Sequence, residues 1–108
     1  MIMENKILKK SLPCSGKSYD SVVFERTDSF NQSYFNCDFI NCHFSSCRLE
    51  EVVFKGCRFR DCYFESCDLS NICVEDSLFN ATKFFECKVI GVNWTSAQWP
   101  KYDLSCDL

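Results

Sequence analysis

Cys37-Asp-Phe39-Ile-Asn-Cys42-His-Phe44-Ser-Ser-Cys47-Arg-Leu49, continued by Cys57-Arg-Phe59-Arg-Asp-Cys62-Tyr-Phe64-Glu-Ser-Cys67-Asp-Leu69, sets the ruler for the whole chain. A small residue followed two positions later by a large apolar one recurs every five residues. Carried outward from Tyr34, the same step lands on Phe39, Phe44, Leu49, Phe54, Phe59, Phe64, Leu69, Val74, Phe79, Phe84, Val89, Trp94 and Trp99. All fourteen positions are apolar or aromatic. With 46% of the chain in that class, chance supplies such a run on the order of once in 10⁴ over five phases, so the pattern is an internal repeat.

A period of five is neither the three-and-four spacing of a helix nor the two of a flat strand. Two inward residues, two apart, followed by three others describe a short extended piece and a corner. The position two after each apolar centre agrees. Asn31, Asn36, Asn41, Ser46, Gly56, Asp61, Ser66, Asn71, Asp76, Gly91 and Ser96 are turn formers, eleven of the fourteen such sites from 31 to 96. A chain that corners every five residues closes a loop in four sides and then climbs.

The triplets Cys37-Asp-Phe39, Cys57-Arg-Phe59, Cys67-Asp-Leu69 and Ala97-Gln-Trp99 resemble the A(D/N)Lxx motif of the pentapeptide-repeat family over roughly residues 20–99. The resemblance implies an all-β fold, a right-handed quadrilateral β-helix of about four coils with about twenty residues in each. Residues twenty apart then stack. Phe24, Phe44, Phe64 and Phe84 form one ladder and Phe39, Phe59, Phe79 and Trp99 another; Leu49, Leu69 and Val89 form the third, and Tyr34, Phe54, Val74 and Trp94 the fourth. Small positions sort the same way, with Cys47, Cys67 and Cys87 in one column and Val52, Ile72 and Val92 in another. The first coil is imperfect, with Ser29 at a core position and Gln32 at a small one, as terminal repeats of solenoids commonly are.

Length and composition fit one ordinary globular domain, with 108 residues of which 25% are charged. No apolar run nears eighteen residues and no secretory leader pattern opens the chain, so a cytoplasmic protein with no membrane partner is expected. Ten cysteines in a chain this short ordinarily signal a secreted disulfide scaffold. Seven of them (Cys37, Cys42, Cys47, Cys57, Cys62, Cys67, Cys87) instead keep one phase of the repeat, which a disulfide framework has no reason to respect. They read as small buried hydrophobes in a reducing compartment. Cys-x₄-Cys spacing with a single histidine, His43, predicts no metal site, and nothing calls for a cofactor.

Three segments are expected: a basic arm or cap over 1–19, net +3 from Lys6, Lys9, Lys10 and Lys17 against Glu4; the repeat over 20–99; and a break with the start of a further coil over 100–108. Pro100 cannot join a ladder and marks the break. Cys106-Asp-Leu108 then reads as a repeat restarted out of phase. An uncovered apolar end predicts continuation in a longer chain or end-to-end association of identical copies.

Function is read from the surface. No general base is expected to face a nucleophile: His43 sits at an outward position, the in-column thiols point inward, Cys14, Cys73 and Cys106 lie out of that column and exposure alone does not make a thiol a nucleophile, and Gly16, Gly56 and Gly91 form no phosphate loop. A period of six, as in β-helical acyltransferases, loses phase within two repeats. A non-enzymatic protein-interaction or scaffold module is expected. Residues 20–99 hold twelve acids and seven bases, net −5, so direct nucleic-acid binding is disfavoured. The acids Glu50, Glu51, Asp61, Glu65, Asp68, Glu75 and Asp76 form one candidate partner surface. Phe30, Phe35, Ile40, Phe85 and Ile90, each just after a core position, form a candidate apolar patch.

Within the family, Cys87-Lys-Val89-Ile-Gly-Val92-Asn-Trp94 is similar to a segment of the gyrase-protecting quinolone-resistance (Qnr-like) and microcin-immunity proteins. That resemblance implies an alternative function, an acidic rod occupying the DNA site of a type II topoisomerase, either gyrase or topoisomerase IV, as a DNA mimic.

Overall fold

A computed structural model describes residues 5–7 and 16–97. Much of the arm expected over 1–19, the segment 100–108, and the positions of Cys14, Trp99 and Cys106 lie outside the described residues.

The chain is a four-sided parallel β-solenoid. On the first side, strands Asn5–Ile7, Val22–Glu25, His43–Ser45, Tyr63–Glu65 and Lys83–Phe85 form one sheet. On the fourth, Ser18–Asp20, Asp38–Ile40, Arg58–Arg60 and Leu78–Asn80 form another. Ser33–Phe35 and Val53–Lys55 pair on the third side, and on the second, bridges join Asp28 to Arg48, Arg48 to Asp68 and Asp68 to Lys88. From Ser18 onward pairing is in register at twenty residues, as in Phe24 to Phe44 to Phe64 to Phe84, whereas Asn5–Ile7 meets Val22–Phe24 at seventeen. The stack from Phe24 to Phe84 is three complete turns. From Glu86 to Ala97, the last of the described residues, the chain carries no extended strand and includes a 3₁₀ turn over Trp94–Ser96, where the Asn93 side chain accepts from Thr95 N at 3.2 Å. The fourth of the expected coils falls on this stretch.

Each side is a short extended piece, a three- or four-residue strand on the first and fourth sides and a single bridge on the second, because its centre must point inward while its flanks point out. The core is therefore a set of ladders. Phe44 stacks on Phe64 at 4.5 Å between ring centres and 6° between planes, Phe39 on Phe59 at 5.0 Å and 9°, and Phe59 on Phe79 at 4.9 Å and 9°. Rings of neighbouring columns meet edge to face, as Phe54 and Phe59 do at 5.2 Å and 90°. Both arrangements suit the ring quadrupole. The one polar intruder among the centres, Ser29, is fully buried, and the Tyr34 hydroxyl donates to its Oγ at 3.1 Å. The polar centre of the imperfect first coil thus has a hydrogen-bond partner inside the core.

Corners fall where the turn formers place them, except at Ser96, which the 3₁₀ turn takes up. Every fifth residue from Ser21 to Gly91 has φ between 51° and 73°. The left-handed conformation lets the backbone turn while its N–H still reaches the next coil, as from Asn31 to Glu50 O at 2.9 Å and from Asn41 to Arg60 O at 2.9 Å. Gly, Asn and Asp tolerate this conformation best. Arg26, Glu51, Ala81 and Glu86 occupy it without that advantage. Ala81, at φ 51°, has neither a polar side chain to bond locally nor freedom from a Cβ. Ala81→Gly is expected to raise stability by about 0.5–1 kcal/mol in urea unfolding, the relief of left-handed strain exceeding the added chain entropy. A drop in the midpoint would refute strain at this corner.

The eight described cysteines are free. Their place in the fold is specific: Cys42, Cys47, Cys57, Cys62, Cys67 and Cys87 each donate to the carbonyl of the residue twenty-three earlier, at 3.3–3.5 Å. Ser77 and Thr82 make the same bond, to Phe54 O at 2.7 Å and Phe59 O at 3.1 Å. Where the small position carries a donor, Cys, Ser and Thr interchange in making this bond, while Val22, Val52 and Ile72 fill it with apolar volume alone.

Candidate functional site

The core uses the inward positions, so whatever this molecule does is done by the two outward residues on each side and the corner residue between sides. The structure disperses the sequence-nominated acids over three sides and three corners. Glu50 and Asp68 lie on the second, Glu65 on the first, Glu75 on the third, and Glu51, Asp61 and Asp76 on three different corners. Several already have partners. Glu50 accepts from Arg48 Nε at 2.7 Å, Glu75 from Lys55 Nζ at 3.1 Å, and Glu65 lies 3.1 Å from His43 Nε2. Asp68 accepts from Ser70 N at 3.0 Å. Glu51, Asp61 and Asp76 are exposed and have no ion pair among the described residues.

The apolar nominations resolve differently. Phe30, Phe35, Phe85 and Ile90 are 42%, 45%, 49% and 60% exposed, and they are the exposed large hydrophobes among the described residues. Ile40 is half-buried on the fourth side, between Asp20 and Arg60 in its ladder. The exposed four fall in two pairs. Phe30 and Phe35 flank the left-handed corner at Asn31, and Phe85 and Ile90 flank the one at Glu86. Phe30 and Ile90 also share the outward column of the second side, with Glu50 and Ser70 between them. The Arg48 guanidinium sits 5.2 Å from the centre of the Phe30 ring and 3.7 Å from Asp28, so that aromatic is held in place while remaining open to solvent.

Sequence reading missed one feature. The outward column Asp28, Arg48, Asp68, Lys88 alternates in sign up the second side; reading charges, as well as apolar residues, at steps of twenty finds it. Arg58 and Arg60 leave one strand on the same side and, with Asn36, Gly56, Asp76 and Leu78, line a shallow concavity of about 550 Å³. Arg58 is 3.7 Å from Asp38. This is a basic spot on an acidic rod.

Chemistry at the titratable groups is muted. His43 is half-exposed, packs on the Tyr63 ring at 5.0 Å and faces a carboxylate, with no nucleophile beside it. Within the thiol columns, the adjacent thiol and burial push Cys57, Cys62 and Cys67 up, keeping them protonated. Cys87, at the half-buried end of its column, is held down at about 7 by the adjacent Cys67 thiol. Cys73 is outward and half-buried on the third side. Among the described residues no cluster of three or more His, Cys, Asp or Glu side chains has metal-holding geometry, and no helix is long and apolar enough to cross a membrane.

The sequence profile of a family described as a pentapeptide repeat region matches residues 37–105. Two solved structures are similar, both trypsin-treated variants of QnrB1, a plasmid-mediated fluoroquinolone resistance protein. Identities are 10% and 12%, with 90% of this chain covered in each case, 79% and 80% of theirs, and TM-scores of 0.27 and 0.22. That likeness is too distant to carry an argument about function. No curated protein sequence matches the chain.

Proposed function

Because the chain belongs to the pentapeptide-repeat family, with a core spent entirely on stacking, we propose that it is a non-enzymatic protein-interaction module acting through its outer surface. The observation that carries this reading is the set Phe30, Phe35, Phe85 and Ile90, between 42% and 60% exposed. They stand at outward positions of a rigid ladder where Glu25, Ser45, Lys55 and Arg60 stand elsewhere. A solenoid side cannot fold away to cover such residues, and aromatic groups presented on a stiff frame bind with little loss of freedom.

A second reading, an acidic mimic of DNA at a type II topoisomerase, is favoured by one observation. Glu51, Glu75 and Asp76 lie exposed on or beside the third side in successive coils, within a rod that carries net −5 over residues 20–99.

Salt separates the two. A complex held by the apolar residues is expected to survive about 0.5 M salt, where screening reduces charge pairing to contact range, and to be lost in the Phe30→Ser, Phe35→Ser, Phe85→Ser, Ile90→Ser variant. A gyrase supercoiling assay with a fluoroquinolone present tests the mimic. Rescue by the parent, abolished by Glu50→Lys, Glu51→Lys, Glu75→Lys, Asp76→Lys but not by the fourfold serine change, would displace the apolar reading in favour of the acidic one.

A further inference from the structure

The thiol columns invite a use that the interaction surface does not make of them. Cys47, Cys67 and Cys87 donate to Phe24 O, Phe44 O and Phe64 O, each at 3.3 Å. Identical bonds in three successive coils mean that the sulfurs repeat by the coil translation itself. That translation is set by the strand spacing, about 4.8 Å, and the adjacent ring ladder repeats at 4.5 and 5.0 Å. Neighbouring sulfurs are therefore about 4.5–5 Å apart.

This spacing is wrong for one bond and right for another. A disulfide needs sulfurs at about 2.05 Å and Cβ atoms at about 3.5–4.5 Å, so forming one requires squeezing two coils against their own backbone ladders. A metal–thiolate bond is about 2.3 Å, so a linear sulfur–metal–sulfur unit spans about 4.6 Å and fits between two coils without separating them, in exchange for the S–H bonds to Phe44 O and Phe64 O. Each gap in the column offers two sulfurs and no third, which excludes ions that insist on four ligands and selects the soft cations that thiolates prefer.

We propose that Cys67 and Cys87, the accessible end of the Cys47, Cys67, Cys87 column, form a linear two-coordinate thiolate site for a soft d¹⁰ cation. On binding, each of the two thiols gives its proton to solvent, and one metal–sulfur bond replaces each S–H bond. No electron is transferred. A divalent ion of the mercuric type leaves the pair neutral, whereas univalent silver or copper leaves one negative charge in the core, so burial selects the divalent ion. Cys87 is half-buried and gives access from its end of the column. The other stacked pairs, Cys37 with Cys57 and Cys42 with Cys62, are buried at both members.

The test titrates mercuric chloride into the reduced full chain carrying Cys14→Ser, Cys73→Ser and Cys106→Ser, which removes the thiols outside the columns. Native mass spectrometry is expected to show a first equivalent adding one ion and losing two protons, retained against a large excess of glutathione. X-ray absorption should give two sulfurs at about 2.3 Å. Adding Cys87→Ser is expected to abolish that equivalent. Serine suits the position, since Ser77 makes the same carbonyl bond at 2.7 Å, and far-UV circular dichroism checks the fold. Cys67→Thr, which places at this site the residue that Thr82 supplies at an equivalent one, is a second variant with the same expected loss. Retention of the glutathione-resistant equivalent in either variant, or three or more sulfurs around the ion, would overturn the site.

Discussion

Phe59→Ala is expected to remove about 3–5 kcal/mol of stability, enough to leave a domain of ordinary stability largely unfolded. Phe59 is 0% exposed, stacks on Phe39 at 5.0 Å and Phe79 at 4.9 Å, and takes the edge of Phe54 at 5.2 Å. Cavities cost least where the surroundings can collapse. Here they cannot, because the coils above and below are pinned by Arg58 N to Cys37 O and Leu78 N to Cys57 O, both at 2.8 Å. The position is also central. A solenoid couples each coil only to its neighbours, so a weakened middle coil separates the two ends. Urea unfolding followed by circular dichroism measures the loss; Phe59→Leu should cost less, on the order of 1–1.5 kcal/mol. An alanine variant within about 1 kcal/mol of the parent would mean that the ladder contributes far less than its burial implies.

Asn41→Pro is the second large effect, and it acts through the backbone. Asn41 holds φ at 53°, and its N–H donates to Arg60 O at 2.9 Å. Proline fixes φ near −65° and has no N–H, so the substitution both breaks the corner and deletes a rung, at a cost of about 3 kcal/mol or more. Asn41→Gly keeps the left-handed conformation and should stay within about 0.5 kcal/mol of the parent. Thermal melts of the three proteins read the contrast. Equal melting of the proline variant and the parent would show that the corner is not held as described.

These effects rest on features that the sequence displays plainly. The aromatic ladders and the left-handed corners follow from the five-residue step, because each residue's direction depends on its phase alone: inward at the centre, cornering two positions later. Even the misfits obey the phase, since Glu51, Ala81 and Glu86 turn like the asparagines. Outward positions are less legible. Phase says that Glu50, Glu65 and Glu75 face out; it does not say that Arg48, His43 and Lys55 meet them, because long side chains choose among neighbours in their own and adjacent coils. Ile40 and Phe35 share a phase, yet the first is half-buried and the second open. Their difference comes from the column neighbours, Asp20 and Arg60 for Ile40 and Lys55 for Phe35.

The twenty-residue register makes the rod an indexing device. Duplicating twenty residues lengthens it and leaves every later side chain facing the way it did before. Duplicating five keeps the core intact, since a centre still follows a centre, but rotates all that follows by a quarter turn. Phe85 and Ile90 would then leave the sides they now occupy, while Phe30 and Phe35 stayed in place. The relative bearing of the two apolar pairs can therefore be reset in quarter-turn clicks at almost no cost in packing, a coarse rotational adjustment open to a lineage that duplicates short stretches of its gene.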